Sequence, residues 1–126
     1  MAASNRAPVL VLEDDFLIAL DLEEALREQG VAEVQVVSDV DEALALLAGG
    51  TRFAAALLDV NVGARQSFGV AEILRRDGIP FVFLTGYSES EMPAELAVAP
   101  VLQKPFSWDE IGEMAKRLGL GLRSSL

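Results

Sequence analysis

Two residue types are missing altogether: none of the 126 residues is cysteine or histidine. Without a thiol or an imidazole there is no cysteine nucleophile, no Ser-His-Asp triad, no zinc centre of the usual ligands and no phosphohistidine carrier. Positive charge is scarce, with 10 Lys+Arg against 20 Asp+Glu and a formal net charge of -10. Nucleic-acid binding normally starts from a basic stripe that displaces counterions, so no nucleic-acid partner is expected. Long apolar runs are missing too. The hydrophobic fraction is 52%, yet charges break every run well short of the ~20 residues of a membrane span. Met1 to Pro8 lacks the charged-then-apolar layout of a secretory signal. The expectation is a cytoplasmic protein without a membrane partner, whose acidity suits a partner with a basic face.

What is present is a series of short apolar runs that end on chemistry-bearing residues. Ala54 to Leu58 stops on Asp59, followed by Val60 and Asn61; Val9 to Leu12 stops on Glu13, Asp14 and Asp15. Phe81 to Leu84 ends on Thr85, and Val98 to Leu102 runs to Lys104 and Pro105. Apolar runs of strand length read as strands buried on both faces, and open α/β sheets place their chemistry beyond the carboxyl ends of such strands.

Between the runs the period changes to that of helices. Ile18, Leu22, Ala25 and Leu26 recur at helical spacing until Gly30. Val31 to Val37 alternates with Glu33 and Gln35, as an edge strand with one wet face would. Ser38 with Asp41, or Asp39 with Glu42, offers a capping pair before Val40, Ala43, Leu44 and Leu47, and Gly49-Gly50 ends that helix. The third strand is expected over Phe53 to Leu58, then a loop over Val60 to Ser67 and a third helix carrying Val70, Ile73 and Leu74. Pro93 interrupts any fourth helix drawn from Ser90 to Ala97, and the conformation of Ser88 to Ala97 is left open. A Ser107 to Glu110 capping box precedes Ile111, Met114, Ala115 and Leu118. The pattern predicts five parallel strands alternating with five helices on both faces, joined by right-handed crossovers. The expectation is a single domain with its core over about residues 8–118 and a short tail over 119–126.

Carboxylates gathered in one pocket repel, and a hard divalent cation is the natural neutraliser. Mg²⁺ takes oxygen ligands, so Asp14 and Asp59 are expected as direct ligands, Glu13 directly or through water, and Asn61 through its main-chain carbonyl. An Asp can also accept a phosphoryl group covalently, which makes Asp59 the candidate nucleophile. Thr85 then supplies a hydroxyl and Lys104 a positive charge to phosphoryl oxygens. Each of these residues alone is more simply a turn former or a cap; their conjunction, each closing a different strand, favours one site. Asp15 is the exception and reads as a helix cap. Phe53, Phe106 and Trp108 read as core or rim.

These residues, in this order, resemble the response-regulator receiver domains over about Pro8 to Leu118. In that family an acidic pair, an acceptor Asp, a Thr or Ser and a Lys-Pro close successive strands, here Glu13 and Asp14, Asp59, Thr85, and Lys104 with Pro105. The resemblance implies a flavodoxin-like sheet of strand order 2-1-3-4-5 and a cis bond before Pro105. It also implies a phosphorylatable switch of a two-component phosphorelay, loaded with Mg²⁺ by a histidine kinase or histidine phosphotransfer protein. Such a domain is no turnover enzyme; it catalyses only its own phosphoryl capture and aspartyl-phosphate hydrolysis. Its output would be protein contact with an unidentified downstream partner, or service as a phosphate sink. Relatives often pair as homodimers through the face of the fourth helix, fifth strand and fifth helix. Pro80 to Tyr87 further resembles the subgroup marked by Phe-Ala-Thr-Gly-Tyr, nicknamed FAT GUY, with Leu84 in place of its Ala. Val101 stands where many receivers carry the aromatic ring that moves with the Thr, and Tyr87 is the candidate to replace it in the switch. The competing reading is a small Mg²⁺-dependent phosphatase of haloacid-dehalogenase type with Asp59 as nucleophile. That class places a general-acid Asp two residues on, where this chain has Asn61. A flavin carrier on the same fold would need a phosphate-cradling loop after the first strand, where this chain has acids.

Overall fold

Every run read as a strand enters one sheet. The computed structural model describes residues 7–86 and 99–120. In chain order the elements are β1 (Val9–Leu12), α1 (Phe16–Glu28), β2 (Val34–Val37), α2 (Val40–Ala48), β3 (Ala55–Asp59), β4 (Asn61–Val62), β5 (Arg65–Gln66), α3 (Phe68–Arg76), β6 (Phe81–Thr85), β7 (Val101–Gln103) and α4 (Trp108–Arg117). The main sheet is parallel throughout with order β2-β1-β3-β6-β7, the flavodoxin-like order the resemblance implies.

Side chains alternate across a strand, and here each face meets its own helices. Leu10, Leu12, Ala56, Leu58, Phe81 and Phe83 join Val40, Ala43, Val70 and Leu74 in a core under α2 and α3. Val9, Val11, Ala55, Leu57, Val82 and Leu84 join Leu22, Ala25, Leu26, Ile111 and Met114 in a second core under α1 and α4. Both faces being covered is why β1 is apolar throughout, and β3 and β6 are apolar up to their last residues, Asp59 and Thr85.

Helix starts follow the expected caps. Asp15 accepts from the N–H groups of Leu17 and Ile18, Asp39 accepts from that of Glu42, and Ser107 with Glu110 forms a complete capping box. Glu42 reaches back to the Ser38 N–H instead of that of Asp39.

Several boundaries differ from the sequence expectation. β2 begins at Val34 instead of Val31, because Val31 gives its N–H to Leu26 at the end of α1 and packs into the second core. β3 runs from Ala55 and includes Asp59, because the sheet continues to β6 at that residue, Asp59 standing opposite Leu84. β7 spans Val101–Gln103, starting after Ala99 and Pro100 and extending one residue past Leu102 because Gln103 pairs with Thr85, while Val98, the expected start, lies outside the described residues. The segment expected as plain loop after β3 holds an antiparallel hairpin, β4 with β5, turned at Gly63 with φ 62°. The described residues contain four helices; the fourth expected helix, over Ser90 to Ala97, falls outside them. The bond between Lys104 and Pro105 is cis.

Candidate functional site

β1, β3, β6 and the turn after β7 end side by side, so the residues that follow their apolar cores share one rim. Glu13 and Asp59 are buried and Asp14 is exposed, and a carboxylate oxygen from each lies within 4.8 Å of the others. Lys104 Nζ reaches between them, 2.9 Å from Glu13 Oε1 and 3.2 Å from Asp59 Oδ2. The backbone N–H of Lys104 donates to Thr85 O at 2.8 Å, which fixes the lysine against the end of β6. Glu13 Oε2 accepts from the Asp15 N–H at 3.0 Å. Its other oxygen meets the ammonium as an ion pair without a well-directed hydrogen bond. Asp14 Oδ2 accepts from the Gly63 N–H at 3.0 Å, so the hairpin turn leans on the acidic pair.

Burial and the neighbouring Glu13 charge push the Asp59 carboxyl up to about 7, against the opposing pull of Lys104. Burial alone would lower the Lys104 ammonium, but Glu13 and Asp59 outweigh it and raise its pKa above 10.5. One ammonium facing three carboxylates leaves negative charge to be neutralised. Oxygen donors, two of them buried and one exposed, with charge in excess, suit a small hard cation better than a softer metal. Glu13, Asp14 and Asp59 can therefore hold a metal ion.

Residues 9–116 match the family described as the response regulator receiver domain. The chain belongs to that family. As a receiver domain it is similar to the transcriptional regulatory protein PdtaR of Mycobacterium tuberculosis, with 33% identity over 107 residues, 82% of this chain and 52% of the relative. It is also similar to the phyllosphere-induced regulator PhyR of Methylorubrum extorquens, with 28% identity over 109 residues, 84% of this chain and 41% of the relative. The chain thus spans about half or less of the length of these curated relatives. Among solved structures, SdrG from Sphingomonas melonis superposes with a TM-score of 0.77 at 38% identity, covering 92% of this chain and 98% of that one. These likenesses place the chain in two-component signalling and leave the haloacid-dehalogenase reading without support.

The receiver domain brings Glu13, Asp14, Asp59 and Lys104 together, as their positions in the sequence led one to expect. Thr85 is buried at the same rim, its hydroxyl donating to Gly86 O at 3.0 Å. Asn61 lies exposed at the start of β4. Val101 is half-exposed on edge strand β7, opposite Phe83, two residues from Thr85's partner Gln103. Tyr87, the candidate switch aromatic, lies outside the described residues. Pro105 lines a cleft of about 350 Å³ with Ile18, Asp21, Gly86, Lys104 and Phe106. Trp108 is half-exposed and Phe53 is core.

Sequence reasoning missed three features, one being the Gly63 N–H that reaches Asp14 Oδ2 from the hairpin turn. The Lys104 to Glu13 ion pair has no sequence signal, since a lysine far along the chain shows its charge and not its partner. Ser67 is fully buried and its hydroxyl donates to Asp59 O at 2.7 Å; its sole sequence signal was a Ser before a helical pattern, which suggests a cap and not a tether.

Proposed function

We propose that this receiver domain is a phosphorelay switch that takes a phosphoryl group onto Asp59 from a phosphohistidine on a histidine kinase or phosphotransfer protein. The observation that carries this is the Lys104 ammonium held between Glu13 Oε1 and Asp59 Oδ2 inside a carboxylate cluster. An Asp59 oxygen attacks phosphorus, the bond from phosphorus to the imidazole nitrogen breaks, and that nitrogen leaves with the electron pair. Lys104 faces the charge on the equatorial oxygens, and the Thr85 hydroxyl exchanges Gly86 O for a phosphoryl oxygen. Mg²⁺, held by Glu13, Asp14, Asp59 and the Asn61 carbonyl, would neutralise charge on the donor phosphate and the acceptor. Water later attacks the acyl phosphate and regenerates Asp59. The protein turns over no external substrate.

The kinase-side partner has a supporting surface. Phe16 and Leu17, 74% and 70% exposed, stand on α1 next to the acidic rim, with half-exposed Leu20 one turn on. A homodimer through the face of the fourth helix, which lies outside the described residues, with β7 and α4 is supported by half-exposed Val101 in the groove it lines with Met114, Asp109, Glu113 and Arg117, and sedimentation with and without beryllium fluoride checks it. Movement of Thr85, answered by Tyr87 in place of an aromatic at Val101, is the proposed switch. The output is contact with a downstream protein or draining of phosphate from the kinase, inside the cytoplasm.

Acetyl phosphate with Mg²⁺ should add one phosphoryl mass to the intact protein, and Asp59→Asn should abolish the addition. Uptake by Asp59→Asn at the wild-type level would overturn the assignment. Beryllium fluoride binding is the second probe if hydrolysis is fast.

A further inference from the structure

Asp59 is the last residue of β3, and its main-chain carbonyl faces a place where the sheet has run out. Val60 gives its N–H to Leu84 O at 3.0 Å on the β6 side. Successive strand residues point their polar groups to opposite sides, so the Asp59 carbonyl points towards β1. The β1 ladder ends with Leu12 opposite Leu58, one residue too early to supply a donor. A buried carbonyl without a partner is costly. Ser67 fills that gap: its hydroxyl, fully buried, donates to Asp59 O at 2.7 Å.

The bond comes at the expense of the role expected of a serine at this position. Ser67 precedes α3 at the N-cap, yet its side chain makes no capping bond to that helix. Its own N–H donates to Val60 O at 3.0 Å. One residue thus ties the end of the β4–β5 hairpin back to its start at Asp59 and Val60. Within that closed segment Asn61 opens β4, and Gly63 gives its N–H to Asp14 Oδ2. The neck at Ser67 therefore sets the acceptor, the hairpin carbonyl and one acid of the rim against each other.

We propose that Ser67 is a positioning residue for phosphoryl capture, acting through the Asp59 peptide: its hydroxyl fixes the plane that aims the Asp59 carboxylate and the hairpin that follows. This rests on the reading of Asp59 as phosphoryl acceptor. A misplaced nucleophile loses rate without losing the fold. The experiment measures capture from acetyl phosphate by intact mass, over a series of Mg²⁺ and acetyl phosphate concentrations, for wild type, Ser67→Ala and Ser67→Thr, at a temperature where melts show each folded. Ser67→Ala should lower the maximal rate per folded molecule about tenfold and raise the Mg²⁺ needed for half-maximal rate. Ser67→Thr, which keeps the hydroxyl, should stay within about twofold of wild type. A Ser67→Ala protein with wild-type maximal rate and Mg²⁺ dependence overturns the proposal, even if its melting temperature falls. Equal slowing of both variants assigns the loss to packing and also overturns it. Failure of the wild type to capture a phosphoryl group or bind beryllium fluoride would instead strike the parent reading, before Ser67 is reached.

Discussion

Lys104 contacts two buried carboxylates at once, which ties the stability of the site to its chemistry. Lys104→Met keeps the apolar stem and removes the charge, leaving Glu13 and Asp59 to repel each other. Without Mg²⁺ this should cost about 1–3 kcal/mol of stability, read by urea unfolding, and added Mg²⁺ should restore part of it. Asp59 gives a pH signature of defined sign. Its folded pKa, about 7, lies above the ordinary 3.8, so between these values the folded protein holds a proton that the unfolded chain has released. That contribution is fully present below 3.8 and is lost as pH rises through 7. Metal-free wild type should therefore lose stability relative to Asp59→Asn as pH rises from 5 to 8 in EDTA, with the opposite slope sinking the assignment. The Glu13 and Asp14 pair, Asp59, Thr85 and Lys104 were legible because each closes an apolar run. The Ser67 tether was not, since a serine before a helix carries the same letter whether its hydroxyl caps forward or bonds backward.

Elements differ in how firmly their sequence decides them. Caps at Asp15, Asp39 and Ser107 were readable because a cap is a local bond within a few residues. The β4–β5 hairpin was not, because its partners include Asp14, far away in the chain. Arg65 on that hairpin pairs with Asp41 of α2, with both side chains more than half exposed. Arg65→Ala should change stability by less than about 0.5 kcal/mol in denaturant unfolding, so the hairpin is held by its neck and turn and not by this pair. Gly112 lies buried inside α4, and a Cβ there would meet Gln29 Nε2 at 2.8 Å. That atom is the free end of a flexible side chain and can swing away. Gly112→Ala should gain up to about 1 kcal/mol from helix propensity, and a lower melting temperature would show that Gln29 is locked in place.

At the scale of the whole molecule the sheet order decides what meets what. Placing β3 between β1 and β6 sets Asp59 beside both the acidic pair and Thr85. Among the described residues no helix is long and apolar enough to cross a membrane. The exposed apolar pair on α1 follows the acidic residues directly in the chain and is not among the residues lining the cleft at Pro105. Changing Phe16 and Leu17 together to Ser should leave capture from acetyl phosphate unchanged. It should slow capture from a phosphorylated histidine phosphotransfer protein about tenfold or more. Equal slowing with both donors would show damage to the site and not to docking.

The sequence by itself determined the strand and helix alternation, the two-faced cores, most caps and the identity of the acids, hydroxyl and lysine at the strand ends. Those follow from periodicity and from local bonds, which are properties of neighbouring residues. Only the tertiary structure decided that Lys104 pairs with Glu13 as well as Asp59, that Gly63 leans on Asp14, and that Ser67 holds the Asp59 carbonyl. Each of those is a meeting of side chain or backbone groups whose partner is chosen by where strands end in the folded sheet, and no local pattern encodes where a neighbouring strand stops.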